Sequence, residues 1–441
     1  VPRRPKGFGA VTRQLRVAVV ARSVAPLHGF GGLERSVLDL VRYLAAHEVR
    51  VTLITREPTT RSSPERRAPS PESPLPGPGA METIFVPYRT FPFAGRRGTT
   101  ILDRSTAYPI FGMNAGRTAW KLVRSGRADI VHGFGASVLG YARKRAESRA
   151  PLVLNPQGLE EFGATDPSRA RVKRAAYLPL RQAVLACAAA ADRVIATDRI
   201  LEPAVRQHLD VASDRIRVIP NALDLSVIDT LAAPESAIQV RRRAGIRRDE
   251  HVLLSVGRVE ANKGLHVLAA ALGALREHGT ALQHPWRWVI VGDGPHRPQV
   301  EQTAASLGLK PHVMFVGHAN DHDLHSWYEA ATLFVHPTLY EGSSLVTLEA
   351  MAHRRAVVAS AAGGIPDKVR PGVNGWLVPP GDPAMLAGAL SGALGDLERL
   401  AVMGLAGRAI VETEFSWETT GAATMQMYTD LLQGREAGGS P

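Results

Sequence analysis

The chain has a single cysteine in 441 residues, Cys187, which excludes a disulfide framework and a multi-cysteine zinc site. Cys187 lies in an alanine-rich apolar stretch and reads as a packing residue of a protein held in a reducing compartment. No apolar run reaches the roughly 18 residues of a membrane span. The best candidate, AVLACAAAADRVIAT, is broken by Asp192 and Arg193. The leading VPRRPKGFGAVTRQ carries charge without an apolar core, so it does not read as a signal peptide, and a cytoplasmic location is expected. The fifteen histidines form no His-Glu-x-x-His pattern, and no metal site is expected. A G-x-G-x-x-G fingerprint is also missing: the glycine loop after the first apolar run reads GFGGLE, which disfavours a nicotinamide enzyme.

What is present suits a two-domain enzyme, since 441 residues exceed what one core usually supports and 45% are apolar. Apolar strands alternate with amphipathic helices. LRVAVVA is followed by a helix with Leu33, Val37, Leu40, Val41 and Leu44 on one face and then by VRVTLIT, a βαβ unit. The alternation runs on through DIVHG, PLVLNPQG, RVIAT and IRVIPN. It restarts at HVLLSVG, WVIVGDG, VMFVG, LFVHP, AVVAS and GWLVPP, so the α/β class with two doubly wound parallel sheets is expected. The expected divisions are an amino-terminal domain over 1–220, a hinge at 221–235, a second domain over 236–411 and a closing helix within 412–441. Residues 57–80 hold seven prolines and no aromatic and read as a disordered loop.

The net charge is +12, unevenly placed: residues 1–220 carry +17 and the remainder −5. A basic amino half suits an anionic acceptor or the anionic face of a membrane. Local candidates are Arg169, Arg171, Lys173 and Arg174, and the patch Tyr88, Phe91, Phe93, Arg96 and Arg97. A sequence pI near 10.2 raises nucleic-acid binding as an alternative. No basic-aromatic RNA module or helix-turn-helix pattern appears, so nucleic acid is not an expected partner.

Two segments carry the chemistry. In YEGSSLVTLEAMA, Leu345, Leu348 and Ala352 form the apolar stripe of a helix starting after Gly342-Ser343-Ser344, and Glu349 lies on that stripe, one turn from Leu345. A carboxylate there must be buried and partnered. The helix start offers unpaired N–H groups and a positive dipole end, a seat for phosphate or polyhydroxyl, with Glu341 beside it. Some 80 residues upstream, VGRVEANKG places Gly257, Arg258 and Lys263 at the carboxyl end of a strand, two cations able to hold a diphosphate and stabilise it as it leaves. Asp321 and Asp323 form an Asp-x-Asp that could hold a divalent metal. It reads instead as a helix start capped by Asn320 or Asp321.

With GFGGLERS at 29–36, DIVHGFG at 129–135, IPNALD at 219–224, VGDGPHRPQVE at 291–301, VNGWLVPPGD at 373–382 and FSW at 415–417, the chain resembles the retaining glycosyltransferases of the GT-B fold, specifically glycosyltransferase family 4. The resemblance covers about residues 15–432. It implies two Rossmann-like domains, an interdomain cleft, a final helix from about Ser416 crossing back onto the amino-terminal domain, and no cofactor beyond a nucleoside-diphosphate sugar as co-substrate. Glu341 would then hold sugar hydroxyls and Glu349 the ribose hydroxyls. The Gly31-Gly32 loop and the 342–345 segment (Gly342, Ser343, Ser344, Leu345) would lie at the donor phosphates. Gly292-Asp293-Gly294 and Gly317 would frame the base, and His132, at the cleft edge, would sit near the donor sugar. The implied reaction moves a hexose, with retention and without metal, from a UDP- or GDP-sugar to a lipid-linked or cell-envelope glycan acceptor, with the enzyme peripheral on the inner face of the plasma membrane. A nucleotide-sugar epimerase is the rival within the fold, and a catalytically silent binder is another. Three features depart from the family pattern: Ala222 where glycine is usual, Gly342-Ser343-Ser344 in place of Gly-x-Pro, and NPQGLEEF at 155–162.

Overall fold

The computed structural model describes residues 14–29, 31–58, 81–89, 100–157, 159–162, 175–231, 233–277 and 285–437. The proline-rich segment beyond residue 58, the basic residues 169–174 and Phe91, Phe93, Arg96 and Arg97 lie outside the described residues.

Thirteen described strands form two all-parallel sheets. The first holds β1 (Arg16–Val20), β2 (Arg50–Arg56), β3 (Met81–Val86), β4 (Ile130–Phe134), β5 (Leu152–Asn155), β6 (Arg193–Ala196) and β7 (Ile216–Val218), in the order β3-β2-β1-β4-β5-β6-β7. The second holds β8 (His251–Val256), β9 (Trp286–Val291), β10 (Val313–Gly317), β11 (Leu333–His336), β12 (Val357–Ser360) and β13 (Gly375–Val378), in the order β10-β9-β8-β11-β12-β13. Central strands such as β4 and β11 are buried along their whole length, as parallel strands covered by helices on both faces must be. β3 was not among the strands expected from sequence. It is an edge strand whose middle residues are partly exposed, so it lacks the continuous apolar run that marks its neighbours.

Both strand orders reverse direction beside a central strand, between β1 and β4 and between β8 and β11. In such sheets the crevice outside the carboxyl ends at the reversal is where ligands bind. The helices that bear on it are α1 (Gly32–Ala46), which follows β1, α2 (Asp321–Ala330), and α3 (Leu345–Ala352), which follows β11. α4 (Trp417–Ala437) returns to the first sheet, and its Trp417, Met427, Tyr428 and Leu431 complete a core with Val17, Val19, Val37, Val41 and Leu44. The two chain crossings between the lobes are tied together: the Leu223 N–H donates to the Phe415 carbonyl at 2.9 Å and the Trp417 N–H to the Leu223 carbonyl at 3.1 Å. Ala222, the departure in IPNALD, is buried at this crossing.

Asp39, on α1 near this crossing, is pushed up to about 7, because burial outweighs the attraction of Arg42 while Asp224 adds repulsion. The folded state therefore binds a proton that the unfolded chain has released above its ordinary value near 3.8. That contribution is fully present at low pH and is lost as pH rises through about 7. Asp39→Asn should accordingly raise stability at pH 8 by roughly 1–3 kcal/mol and be near neutral at pH 4.5, which denaturant melts at the two values will show.

Candidate active site

Lys263 and Glu341 leave the carboxyl ends of β8 and β11, the neighbouring strands at the reversal, and meet: Lys263 Nζ donates to Glu341 Oε2 at 2.6 Å. His336, the last residue of β11, lies 3.2 Å from the same oxygen through Nε2. Gly264 makes this approach possible. It sits at φ 64° with the Pro337 carbonyl where a side chain would be, so only glycine lets the Lys263 loop close on the β11 loop. Burial alone would raise the Glu341 carboxyl, but His336 and Lys263 outweigh it and hold it at about 2. His336 is itself lowered, by burial first and by Lys263, against the opposing pull of Glu341. The carboxylate is thus ionised and fixed at every physiological pH. Arg258 is placed differently from its expected partnership with Lys263: its side chain is 75% exposed and pairs with Glu260 at 2.7 Å, at the mouth of the loop.

α3 starts where the sequence predicts. Ser344 precedes it with its hydroxyl 2.9 Å from that of Thr347, while the Ser343 hydroxyl accepts from Lys368 at 3.2 Å. The polar side chains of Gly342-Ser343-Ser344 are therefore occupied internally, and what the segment presents is the row of first-turn amides. Across the cleft, Gly31 caps α1, and a side chain at Gly32 would stand 3.5 Å from Leu345. The two helix amino ends face each other across the cleft, the α3 start four residues beyond Glu341 and the α1 start with its own Glu34 carboxylate against Gly31.

The loops ending β8, β9 and β10 also meet. Gly292 donates its N–H to the Gly317 carbonyl at 2.8 Å, the Gly257 N–H reaches the Val291 carbonyl, and the Val259 N–H reaches the Asp293 carbonyl, both at 3.0 Å. The Asp293 carboxylate accepts from the Gly294 amide at 2.7 Å and from Arg297 at 3.2 Å. Gly257, Gly292, Asp293, Gly294 and Gly317 thus frame one edge of the crevice.

Glu349 is 4% exposed. Its Oε2 accepts from the Tyr328 hydroxyl at 2.8 Å and its Oε1 from Arg35 at 3.0 Å. Arg35 also donates to Asp321 at 3.0 Å. Asp321 and Asp323 do sit in the first turn of α2, capped by Asn320, whose side chain accepts the Asp323 N–H at 2.7 Å, and Asp323 pairs with Arg243. His132 is not at the cleft edge. It lies within β4, buried against Phe134, with Nδ1 2.6 Å from the Tyr428 hydroxyl of α4. Burial lowers it to about 3, so the ring is neutral and sits in the packing beneath the crevice. The strand pattern of DIVHGFG does not reveal which face the histidine takes, and the structure puts it on the side of the returning helix.

Residues 30–227 match the family described as Glycosyltransferase Family 4, and residues 250–396 match Glycosyl transferases group 1. D-inositol 3-phosphate glycosyltransferase of Xylanimonas cellulosilytica is 30% identical over 97% of this chain and 99% of its own length. The chain belongs to the glycosyltransferase family 4 and group 1 enzymes. Among solved structures, sucrose-phosphate synthase from Thermosynechococcus elongatus is similar over 96% of this chain and all of its own, with a TM-score of 0.73 at 24% identity. Anabaena HepE, solved in complex with UDP-glucose, is similar over 96% of this chain and all of its own, with a TM-score of 0.66 at 20% identity. The glycosyltransferase therefore has the GT-B fold. Its site also contains residues that the sequence reading did not single out, Arg35, His336, Tyr328, Asp198 and Lys368. His336 meets Glu341 five residues on, whereas Arg35, Tyr328, Asp198 and Lys368 act through contacts 21 to 314 residues away in sequence.

One further contact joins the lobes at the site. Asp198, after β6, pairs with Lys368, both side chains fully buried, and Lys368 also donates to the Gly364 carbonyl at 3.1 Å. Beside it Asp367 accepts the backbone N–H groups of Arg199 and Ile200. Burial raises the Asp198 carboxyl, with Lys368 opposing.

Proposed function

We propose that this glycosyltransferase moves a hexose from a UDP- or GDP-sugar to a lipid-linked or cell-envelope glycan acceptor, with retention and without metal assistance. The observation that carries the reading is the Lys263–Glu341 ion pair set just before the start of α3. As the bond from the anomeric carbon breaks, negative charge grows on the diphosphate. Lys263, the α1 and α3 amides and Arg258 at the mouth stabilise it, and their effect is greatest where charge develops. Glu341 keeps Oε1 turned from Lys263, where it accepts the Gly342 amide at 3.3 Å and has acceptor capacity left to orient sugar hydroxyls. HepE, crystallised with UDP-glucose, supports a uridine donor.

A cavity of about 220 Å³ opens from Glu341 between the lobes, lined by Gln157, Leu159, Thr197, Val205, Tyr340 and Ala362 among others. We assign it to the acceptor. Gln157 and Leu159 hold left-handed backbone conformations there, at φ 64° and 53°, a strain of the kind stored at functional sites. Apart from Glu341, its described lining is uncharged, which suits the hydroxyl-bearing part of an acceptor and leaves any acceptor phosphate outside it.

Thermal shift against UDP, GDP, ADP, dTDP and NAD tests the donor reading. The matching nucleoside diphosphate at about 100 times its dissociation constant should stabilise by roughly 2.7 kcal/mol. Proton NMR of the product made from the matching sugar nucleotide should show the donor's anomeric configuration kept, with turnover unaffected by EDTA. No shift with any nucleoside diphosphate would overturn the assignment.

A further inference from the structure

Arg35 has no role in the reading so far, yet it reaches from the first turn of α1 into the other lobe and divides its guanidinium between Glu349 and Asp321. Burial opposes its charge, but Glu349 and then Asp321 more than compensate, so the side chain is held cationic. Its effect on Glu349 can be counted. An ionised carboxylate offers about four acceptor positions, two on each oxygen. Tyr328 takes one on Oε2 and Arg35 one on Oε1, which leaves one on each oxygen. A vicinal diol brings two hydroxyl donors side by side and asks for that pattern.

Tyr328 belongs to the same lobe as Glu349, and its contribution is always present. Arg35 does not belong to it. Without the other lobe, Oε1 loses its charged partner and the buried carboxylate loses the contact that fixes its rotation and offsets its burial. Asp321, in the same lobe as Glu349, holds the second arm of the guanidinium, so the two contacts form together when the lobes meet and fix the angle at which the arginine reaches Glu349.

We propose that Arg35 is a positioning residue that sets Glu349 for the ribose diol from the opposite lobe, so that the nucleotide site is complete only when the lobes are together. This rests on the donor reading above. It makes recognition of the ribose, and not only of the phosphates, depend on lobe closure, a coupling between a ligand contact and a conformational state.

The experiment is calorimetric titration of the full chain with UDP, 2′-deoxy-UDP, GDP and 2′-deoxy-GDP, for the wild type, Arg35→Ala, Arg35→Lys and Tyr328→Phe. The wild type should prefer the ribonucleotide by roughly tenfold or more, the scale of a hydrogen bond to a buried charged group. Arg35→Ala should bind UDP or GDP at least about tenfold more weakly and treat ribo and deoxy forms alike to within about twofold. Arg35→Lys, which keeps the charge but not the divided geometry, should fall between and carries the test if the alanine variant does not fold. Tyr328→Phe should reduce the discrimination while leaving lobe contacts intact. An Arg35→Ala protein that is less stable but discriminates like the wild type would reduce Arg35 to an interlobe tie and overturn the proposal. One that binds the ribonucleotide more tightly would show Arg35 standing in the diol's place, and would overturn it too. A wild type that binds nucleoside diphosphates without telling ribose from deoxyribose would instead remove Glu349 from the donor site, and a wild type that binds none would remove the donor reading itself.

Discussion

Lys263→Ala should lower kcat roughly 100- to 1000-fold while changing the donor KM by less than about threefold, because removing one preorganised charge from a developing anion costs about 2.7–4 kcal/mol of barrier. Lys263 contacts Glu341 at 2.6 Å, a few residues before the start of α3, the place that the proposed function gives to the leaving diphosphate. Two readouts separate this from damage to the fold. A native-like circular dichroism spectrum should show the variant folded, with His336 still on Glu341 at 3.2 Å, although its melting temperature falls as the Glu341 carboxylate loses a partner that holds it low. The pH profile should also change. In the wild type Glu341 is held at about 2 and stays ionised across the working range, so it gives no acid limb. Without Lys263 its pKa must rise toward ordinary carboxylate values, and an acid limb should move into the measurable range. Unchanged turnover would remove Lys263 from the chemistry.

Lys368→Met should destabilise the protein by about 3–5 kcal/mol, the scale for leaving one member of a buried ion pair uncompensated. Asp198 and Lys368 are both without exposed side-chain surface, and Lys368 also holds the Ser343 hydroxyl and the Gly364 carbonyl. The single variant strands the Asp198 carboxyl, whose burial already favours its neutral form. Adding Asp198→Val should recover most of the loss, since an apolar pair of similar volume is often as stable as the ions it replaces. Chemical denaturation of the two single variants and the double variant closes the cycle. A near-additive result would mean the pair is not coupled in the folded protein.

The fold was legible because parallel strands covered on both faces appear as short, continuous apolar runs, and runs such as HVLLSV and LFVH cannot be mistaken for surface. β3 escaped because an edge strand needs no such run, and METIFV mixes polar and apolar residues. The Glu341 and Glu349 segments were legible for a related reason. A carboxylate on an apolar helical stripe contradicts its surroundings, and Glu349 is indeed buried and doubly bonded. The contacts that cross between the lobes were not legible: Arg35 and Glu349 are 314 residues apart, and Lys368 and Asp198 are 170 apart. Contacts across lobes follow from how two finished sheets face each other, which no local periodicity encodes. His132 shows the opposite failure, a residue with a chemically suggestive identity that the pleat turned into the packing.

The return of α4 to the first sheet has a consequence for biosynthesis. The core that contains β1, near the start of the chain, also contains Met427, Tyr428 and Leu431, near its end. The clusters of the second lobe draw on residues between Leu223 and Phe415 and need nothing from either extreme. Domains usually fold in the order in which the ribosome releases them. Here the core around Val17, Val19 and Phe134, which α1 covers in part, is completed only by α4, which the ribosome releases after the whole of the second lobe.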